Sequence, residues 1–272
     1  MFQKSDIQIL IATMNRTNFD FLKAMFVFSN FSNFHILIVN QTSQEEQLVS
    51  DLENVQVVNS FNKGLSKSRN LALKNATKSL LLFTDDDVVF QSDFDTKIVE
   101  AFNTYTEYDG FRFQFLKSKN ILAKPYPKVF KSHLTPFDVL NTSSVELVFK
   151  NKSLKMNHLQ FDEYFGLGAS FFMGEEAIFV ADAKAKGLNI GFVPEPILLH
   201  PCPTTGSKTD VSSIYFIQSA VFYRIFGKMY LFWIALKLFF DVKQGKINFT
   251  EISQLYKEAI KGKNLYVNTT RL

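Results

Sequence analysis

The sequence predicts an α/β fold with a mostly parallel sheet flanked by helices, followed by a helical C-terminal extension. Three observations carry this. Two continuous apolar runs of strand length, "IQILIAT" (7–13) and "FHILIVN" (34–40), open the chain; helix-like segments alternate with strand-like ones as far as residue 84; and the composition turns basic and aromatic beyond residue 203. An unbroken apolar run suits a strand buried on both faces, and such strands belong to parallel sheets covered by helices.

Taken in order, "FDFLKAMFVF" is the helix-length segment between the first two runs, and "VQVVN" (55–59) reads as a shorter strand. "GLSKSRNLALKNAT" (64–77) is helix-like and "SLLLFT" (79–84) is strand-like, so the first hundred residues read as βαβαβαβ. Further on, "GFRFQFL" alternates like a strand, "KPYPKVF" reads as a loop and "SVELVFK" as another strand. A glycine-containing loop, "FDEYFGLGASFFMGEE", runs into a helix that Gly187 stops, and "LNIGFVPEPILLHP" reads as a strand pair ending at His200. The expected division is a domain over 1–203, with halves of about 1–104 and 105–203, and the extension over 204–272.

Composition narrows the function classes. With 272 residues, 46% hydrophobic and a net charge of +4, the chain can bury a full core and lacks the bias of a disordered one. The single cysteine, Cys202, excludes an internal disulfide framework and any Cys-based zinc cluster. The N-terminus enters a short strand directly, with no signal-peptide pattern, and "YLFWIALKLFF" (230–240) is too short to span a bilayer and contains Lys237. A cytoplasmic protein is expected. From Cys202 onward ten basic residues face four acidic ones, which makes the tail net +6. Such a tail fits an anionic membrane surface, or else a helical subdomain packing its aromatics on the main domain. The basic residues are too dispersed for a nucleic-acid footprint.

The chemistry concentrates at strand ends. In open α/β sheets ligands bind at the carboxyl ends of strands, where this sequence puts Thr13, Asn15 and Arg16, then Asn40 and Gln41, then Asp85, Asp86 and Asp87. Three adjacent carboxylates repel one another unless donors, water or a cation compensate them. They suit either a solvated turn or a hard divalent ion held against a phosphate.

"IATMNR", "GLSKSRN", "LLLFTDDD", "FDEYFGLGASFFMGEE" and "PEPILLHP", in that order, resemble the GT-A glycosyltransferases of the family 2 type, over roughly residues 5–201. The resemblance implies that Asp85 to Asp87 occupy the DXD position, with Asp87 and Asp85 as ligands of Mn²⁺ or Mg²⁺ and His200 completing the site. Asp85 and Asp86 would also face the nucleotide. Glu175 and Glu176 match the acidic catalytic pair, with Glu176 as general base in a single displacement that inverts the anomeric carbon. Gly64 and Arg69 would carry the chain beneath the diphosphate, and Thr13, Asn15 and Arg16 would bind the nucleotide. Asn40 and Gln41 stand where the family often has an acidic residue, and their amides suit a uracil edge. Asp162, Glu163, Tyr164 and Phe165 would line the acceptor side, with Gly166 and Gly168 letting that loop move.

The implied activity is transfer of a hexose from a nucleotide-diphospho-sugar, UDP-linked for preference, to a saccharide or lipid-linked saccharide in surface-polysaccharide assembly at the inner face of a membrane. Two competitors remain at this point. A sugar-phosphate nucleotidyltransferase would need a Gly-rich triphosphate loop near the N-terminus, which the sequence lacks. A degenerate GT-A domain would bind a nucleotide or partner without turnover.

Overall fold

The computed structural model describes residues 1–201 and 210–270, so Cys202 and the expected boundary at 203 lie outside the described residues. The strands are β1 Ile7–Met14, β2 His35–Gln41, β3 Val55–Ser60, β4 Leu80–Asp85, β5 Val89–Phe90, β6 Gly110–Ser118, β7 Ile121–Leu122, β8 Leu147–Lys150 and β9 Ile190–Leu199. The α-helices are α1 Asp20–Met25, α2 Leu65–Asn75, α3 Phe94–Thr104, α4 Pro136–Leu140, α5 Asn151–Met156, α6 Glu175–Ala185, α7 Val211–Phe226, α8 Tyr230–Lys243 and α9 Ile252–Thr270.

One sheet runs in the order β3-β2-β1-β4-β8-β6-β9-β5, with β7 added beside β6. The first four strands are mutually parallel, as the apolar runs of β1, β2 and β4 lead one to expect, whereas β8 is antiparallel to both β4 and β6. Two sequence expectations change. No helix lies between β2 and β3, where residues 42–54 form a loop. The expected strand pair after Gly187 is one strand, β9, which follows β6 in parallel with register shifts at Gln114. Pro194 and Pro196 sit at those shifts, where a proline lacks the N–H that a regular ladder would use.

Side-chain alternation sends β1 to two cores. Ile7, Ile9 and Ile11 pack with Phe21 and Met25 of α1 and Ile98 and Phe102 of α3. Leu10 faces the other way, onto Ala72 and Leu73 of α2 and Phe179 and Val180 of α6. The sheet is therefore covered on both faces. Phenylalanine fills both layers, including the stacked Phe161–Phe179 pair at 4.2 Å.

The C-terminal helices build their own cluster around Tyr215, Trp233, Ile234 and Leu255. They also pack on the main domain: Ile217, Ala220 and Val221 of α7 and Tyr266 of α9 join Phe165, Phe171 and Ile178 in one core. Arg224 of α7 reinforces this contact by bonding Asp182 of α6 at 2.7 Å and Asp162 at 2.9 Å. Of the two readings of the tail, packing on the domain holds for α7 and α9.

The α7–α9 contact depends on Gly262, where an added Cβ would lie 1.8 Å from the Phe216 carbonyl oxygen. Because that obstacle is backbone, Gly262→Ala is expected to lower folding stability by about 1–3 kcal/mol or more. Thermal unfolding checks this; an unchanged midpoint would mean that the helices do not approach so closely.

Candidate active site

The carboxyl ends of β1, β2 and β4 open on a cleft of about 680 Å³. Thr13, Gln41, Gly64, Arg69, Asp85, Asp86, Asp87, Glu175, Glu176 and His200 all line it. Residues from opposite ends of the chain thus share one space because parallel strands bring their carboxyl ends together.

The aspartates divide their work. Asp86 accepts from the Thr13 hydroxyl and from Arg16 Nε at 2.7 Å, so it ties the end of β4 to the end of β1. Asp85 lies 3.2 Å from Arg69 Nη2. Asp87 has the most open side chain of the three, at 60% exposure, and its Oδ1 meets His200 Nε2 at 3.1 Å. The hydrogen bond from His200 outweighs burial and holds the Asp87 carboxyl below the usual range. Burial works against charge on His200, and Asp87 more than offsets it, raising the imidazole above its ordinary value. His200 is itself placed by its backbone N–H, which donates to the Leu116 carbonyl at 2.8 Å.

Asp87 and His200 therefore form a meeting point of carboxylate and imidazole that suits Mn²⁺ or Mg²⁺. Asp85 does not join them. Among the described residues no three His, Cys, Asp or Glu side chains gather around a common point. Asp85 is paired with the Arg69 guanidinium and adds its negative charge beside His200.

Arg69 lines the same cleft, with its charge engaged by the protein's own side chains. Its side chain is 3% exposed; Nη1 donates to Glu175 at 2.8 Å, and Nη2 donates to Ser144 Oγ at 2.6 Å and to Asp85. Burial opposes its charge, but Asp85, Glu175 and Glu176 together keep it firmly protonated. One cation thus faces three carboxylates.

The acidic pair begins α6. Gly174 caps the helix at φ 99°, in the left-handed region where glycine is favoured, and a Cβ there would meet Val221 of α7 at 2.4 Å. Glu175 is buried against Arg69, with Oε2 unpartnered, and burial followed by the charge of Glu176 pushes its carboxyl well above the ordinary range. Glu176 keeps 20% of its side chain exposed and stands 3.7 Å from Arg69. Of the two, Glu176 has the freer carboxylate.

The nucleotide end is partly rearranged. Asn40 is fully buried; its amide holds the Arg16 backbone at 3.0 and 2.9 Å and Asn59 at 3.1 Å, so it shapes the strand ends instead of facing a base. Gln41 lines the cleft and accepts from the Gly64 N–H at 2.7 Å. Asn15 takes a left-handed φ of 54°, a conformation Asn tolerates, and lies outside the cleft lining together with Arg16.

The four expected acceptor residues do not line the cleft. Asp162 bonds Arg224, Glu163 accepts from Asn70 at 3.1 Å, Tyr164 lies beside Tyr266, and Phe165 is fully buried. Their loop is fixed from below by Ser66 Oγ, which donates to the Phe165 carbonyl at 2.6 Å, and by the Leu65 N–H, which donates to the Leu167 carbonyl at 2.8 Å. Leu167, Gly168, Phe172 and Met173 take the lining positions. Sequence reasoning also missed Ser144 and, from the tail, Gln218, Val221 and Phe222. The one available signal for Phe172 and Met173 was their position immediately before the acid pair in "FFMGEE".

An α/β sheet with carboxylates at its strand ends, and an acid pair across the same cleft, is the arrangement expected of a glycosyltransferase of the GT-A fold. The chain belongs to the family described as Glycosyl transferase family 2, which it matches over residues 8–162. That span stops short of the acid pair and His200, whose placement comes from the tertiary structure. Comparison with curated proteins returns no match. Among solved structures, S. aureus TarS 1–349 aligns over 97% of this chain and 73% of that one, at 15% identity and a TM-score of 0.56. The same protein in complex with UDP-GlcNAc aligns over 80% of this chain and 66% of that one, at 17% identity and a TM-score of 0.59. The mannosyltransferase PcManGT from Pyrobaculum calidifontis, in complex with GDP-Man and Mn²⁺, aligns over 80% and 63%, at 12% identity and a TM-score of 0.53. At these identities the likeness is one of fold.

Proposed function

We propose that this glycosyltransferase is inverting and metal-dependent, and that it moves a hexose from a UDP-linked donor to a saccharide or lipid-linked saccharide in surface-polysaccharide assembly. The observation that carries the reading is the convergence of Asp87, His200 and Glu176 on one cleft from three separate stretches of chain. The solved relatives bound to UDP-GlcNAc, and to GDP-Man with Mn²⁺, support a nucleotide-sugar donor and a divalent ion. In this reading Gln41, which lines the cleft at the end of β2, offers its amide to a uracil edge.

In this reading Asp87 and His200 hold the cation, and Asp85, fixed by Arg69, supplies negative charge beside it. The bound ion would offset the charge developing on the nucleoside diphosphate as it leaves. Glu176 takes the proton from the acceptor hydroxyl while that oxygen forms its bond to the anomeric carbon. The bond to the diphosphate breaks on the opposite face, so the configuration inverts. Phe172, Met173 and Gln218 provide the acceptor wall, in place of Asp162 to Phe165. Work at the cytoplasmic face of a membrane completes the proposal, with the protein attached peripherally: no described helix is long and apolar enough to cross a bilayer.

Calorimetric titration with UDP and then GDP, in Mn²⁺ and again in EDTA, tests the donor and metal assignments. UDP binding is expected in Mn²⁺, with most of the affinity lost in EDTA and in Asp87→Ala. Tighter binding of GDP would overturn the UDP assignment, and binding indifferent to EDTA would overturn the metal assignment.

A further inference from the structure

We infer that the outer face of α8 is a membrane-docking surface for anionic lipid. On this helix Tyr230, Trp233, Ile234 and Leu238 turn inward to the C-terminal core. Phe232, Ala235, Phe239 and Lys243 follow i, i+3, i+7, i+11 spacing and so share the opposite face, where all four are exposed. Phe232 is 57% and Phe239 61% exposed, while Leu231 and Phe240 widen the stripe on either side. Met229, at 62% exposure, extends it at the N-terminal end.

The charges fit this apolar stripe. Lys228 lies one turn before Phe232 and Lys243 one turn after Phe239, with Lys246 just beyond, and all three are exposed. The sole acidic residue between 228 and 246 is Asp241, which is turned inward and bonded to Lys237 at 2.7 Å and to the Tyr215 hydroxyl at 2.8 Å. The outer face therefore presents aromatic rings about 10 Å apart along the axis, bracketed by lysines with no carboxylate among them.

This pattern matches a helix lying in the plane of a bilayer interface: rings enter the acyl boundary, and lysine stems extend along it to place their ammonium groups among anionic headgroups. A second copy of the chain is a poorer occupant. A two-fold pairing of this face would set Lys228, Lys243 and Lys246 against the same lysines. A membrane also fits the lipid-linked acceptor proposed above, a reading on which this inference rests for its biological sense.

The test is cosedimentation of the full chain with vesicles of phosphatidylcholine alone or with phosphatidylglycerol added. The wild type is expected to bind the anionic vesicles more tightly, and less so as salt rises. Phe232→Ser with Phe239→Ser should weaken that binding about tenfold or more. Lys228→Glu with Lys243→Glu should abolish the preference for anionic lipid. Both pairs are surface changes, and unaltered UDP titration would show that each variant is folded. Wild-type protein that ignores both vesicles, or variants that bind as the wild type does, would overturn the inference, as would a dimer dissociated by the Phe changes without lipid binding. Vesicle binding without nucleotide binding would instead overturn the function proposed for the cleft and leave this surface standing.

Discussion

Replacing Glu176 by Gln is expected to lower the transfer rate by about 10²–10⁴-fold while nucleotide affinity stays close to wild type. The amide keeps the shape of the carboxylate but cannot take a proton, so only the chemical step should suffer. Glu175→Gln is the necessary companion. Glu175 is buried and paired with Arg69 at 2.8 Å, whereas Glu176 opens on the cleft, so the base is the less constrained of two adjacent acids. The Glu175 change should act mainly through stability and the placement of α6. Steady-state kinetics on an identified donor, beside calorimetry on the same samples, separate the two. Undiminished turnover in Glu176→Gln would end its assignment as base, and a loss confined to Glu175→Gln would transfer the role to its neighbour.

The second large effect concerns the cation beneath these acids. Arg69→Met is expected to destabilise the fold by about 3–5 kcal/mol, because Asp85, Glu175 and Glu176 would be left without their shared counter-charge. Burial and Glu176 already push the Glu175 carboxyl up to about 8, and loss of Arg69 would push it further, so in the variant Glu175 should hold its proton to higher pH than in the wild type. Arg69→Lys should recover only part of the stability, since one ammonium cannot reproduce a fork that reaches Glu175, Asp85 and Ser144 together. Denaturant unfolding gives the magnitude. Adding Glu175→Gln to Arg69→Met should change stability little at neutral pH, where Glu175 is already protonated, and should remove the loss expected as pH rises through its titration. An Arg69→Met protein within about 1 kcal/mol of wild type would mean that the carboxylates find other compensation.

Both predictions arise from contacts between distant parts of the chain, and this separates what was legible in the sequence from what was not. β1, β2 and β4 could be read directly because a strand buried on both faces must be apolar throughout, a local property. The start of α6 was legible for a similar reason: a glycine followed by two acids favours a helix N-terminus through local charge and backbone preference. The aspartates at 85–87 stood out because like charges at a strand end need compensation.

How that compensation is shared was decided by the tertiary structure. Asp85, Asp86 and Asp87 are neighbours of the same type, yet Arg69, Thr13 with Arg16, and His200 take one each. Nothing local distinguishes them; strand pleat and the arrival of β9 do. Arg69 reaches a glutamate 106 residues away, and Asp87 a histidine 113 residues away. The acceptor loop shows the same limit, since Asp162 and Phe165 look available in sequence until α7 and α9 cover them. Hydrophobic pattern and backbone preference act over a few residues, so the sequence by itself determined the strands, the helix starts and the end of the sheet where the chemistry lies. Which side chain meets which depends on how whole elements pack, and only the assembled sheet and its tail decided the partner of each charge.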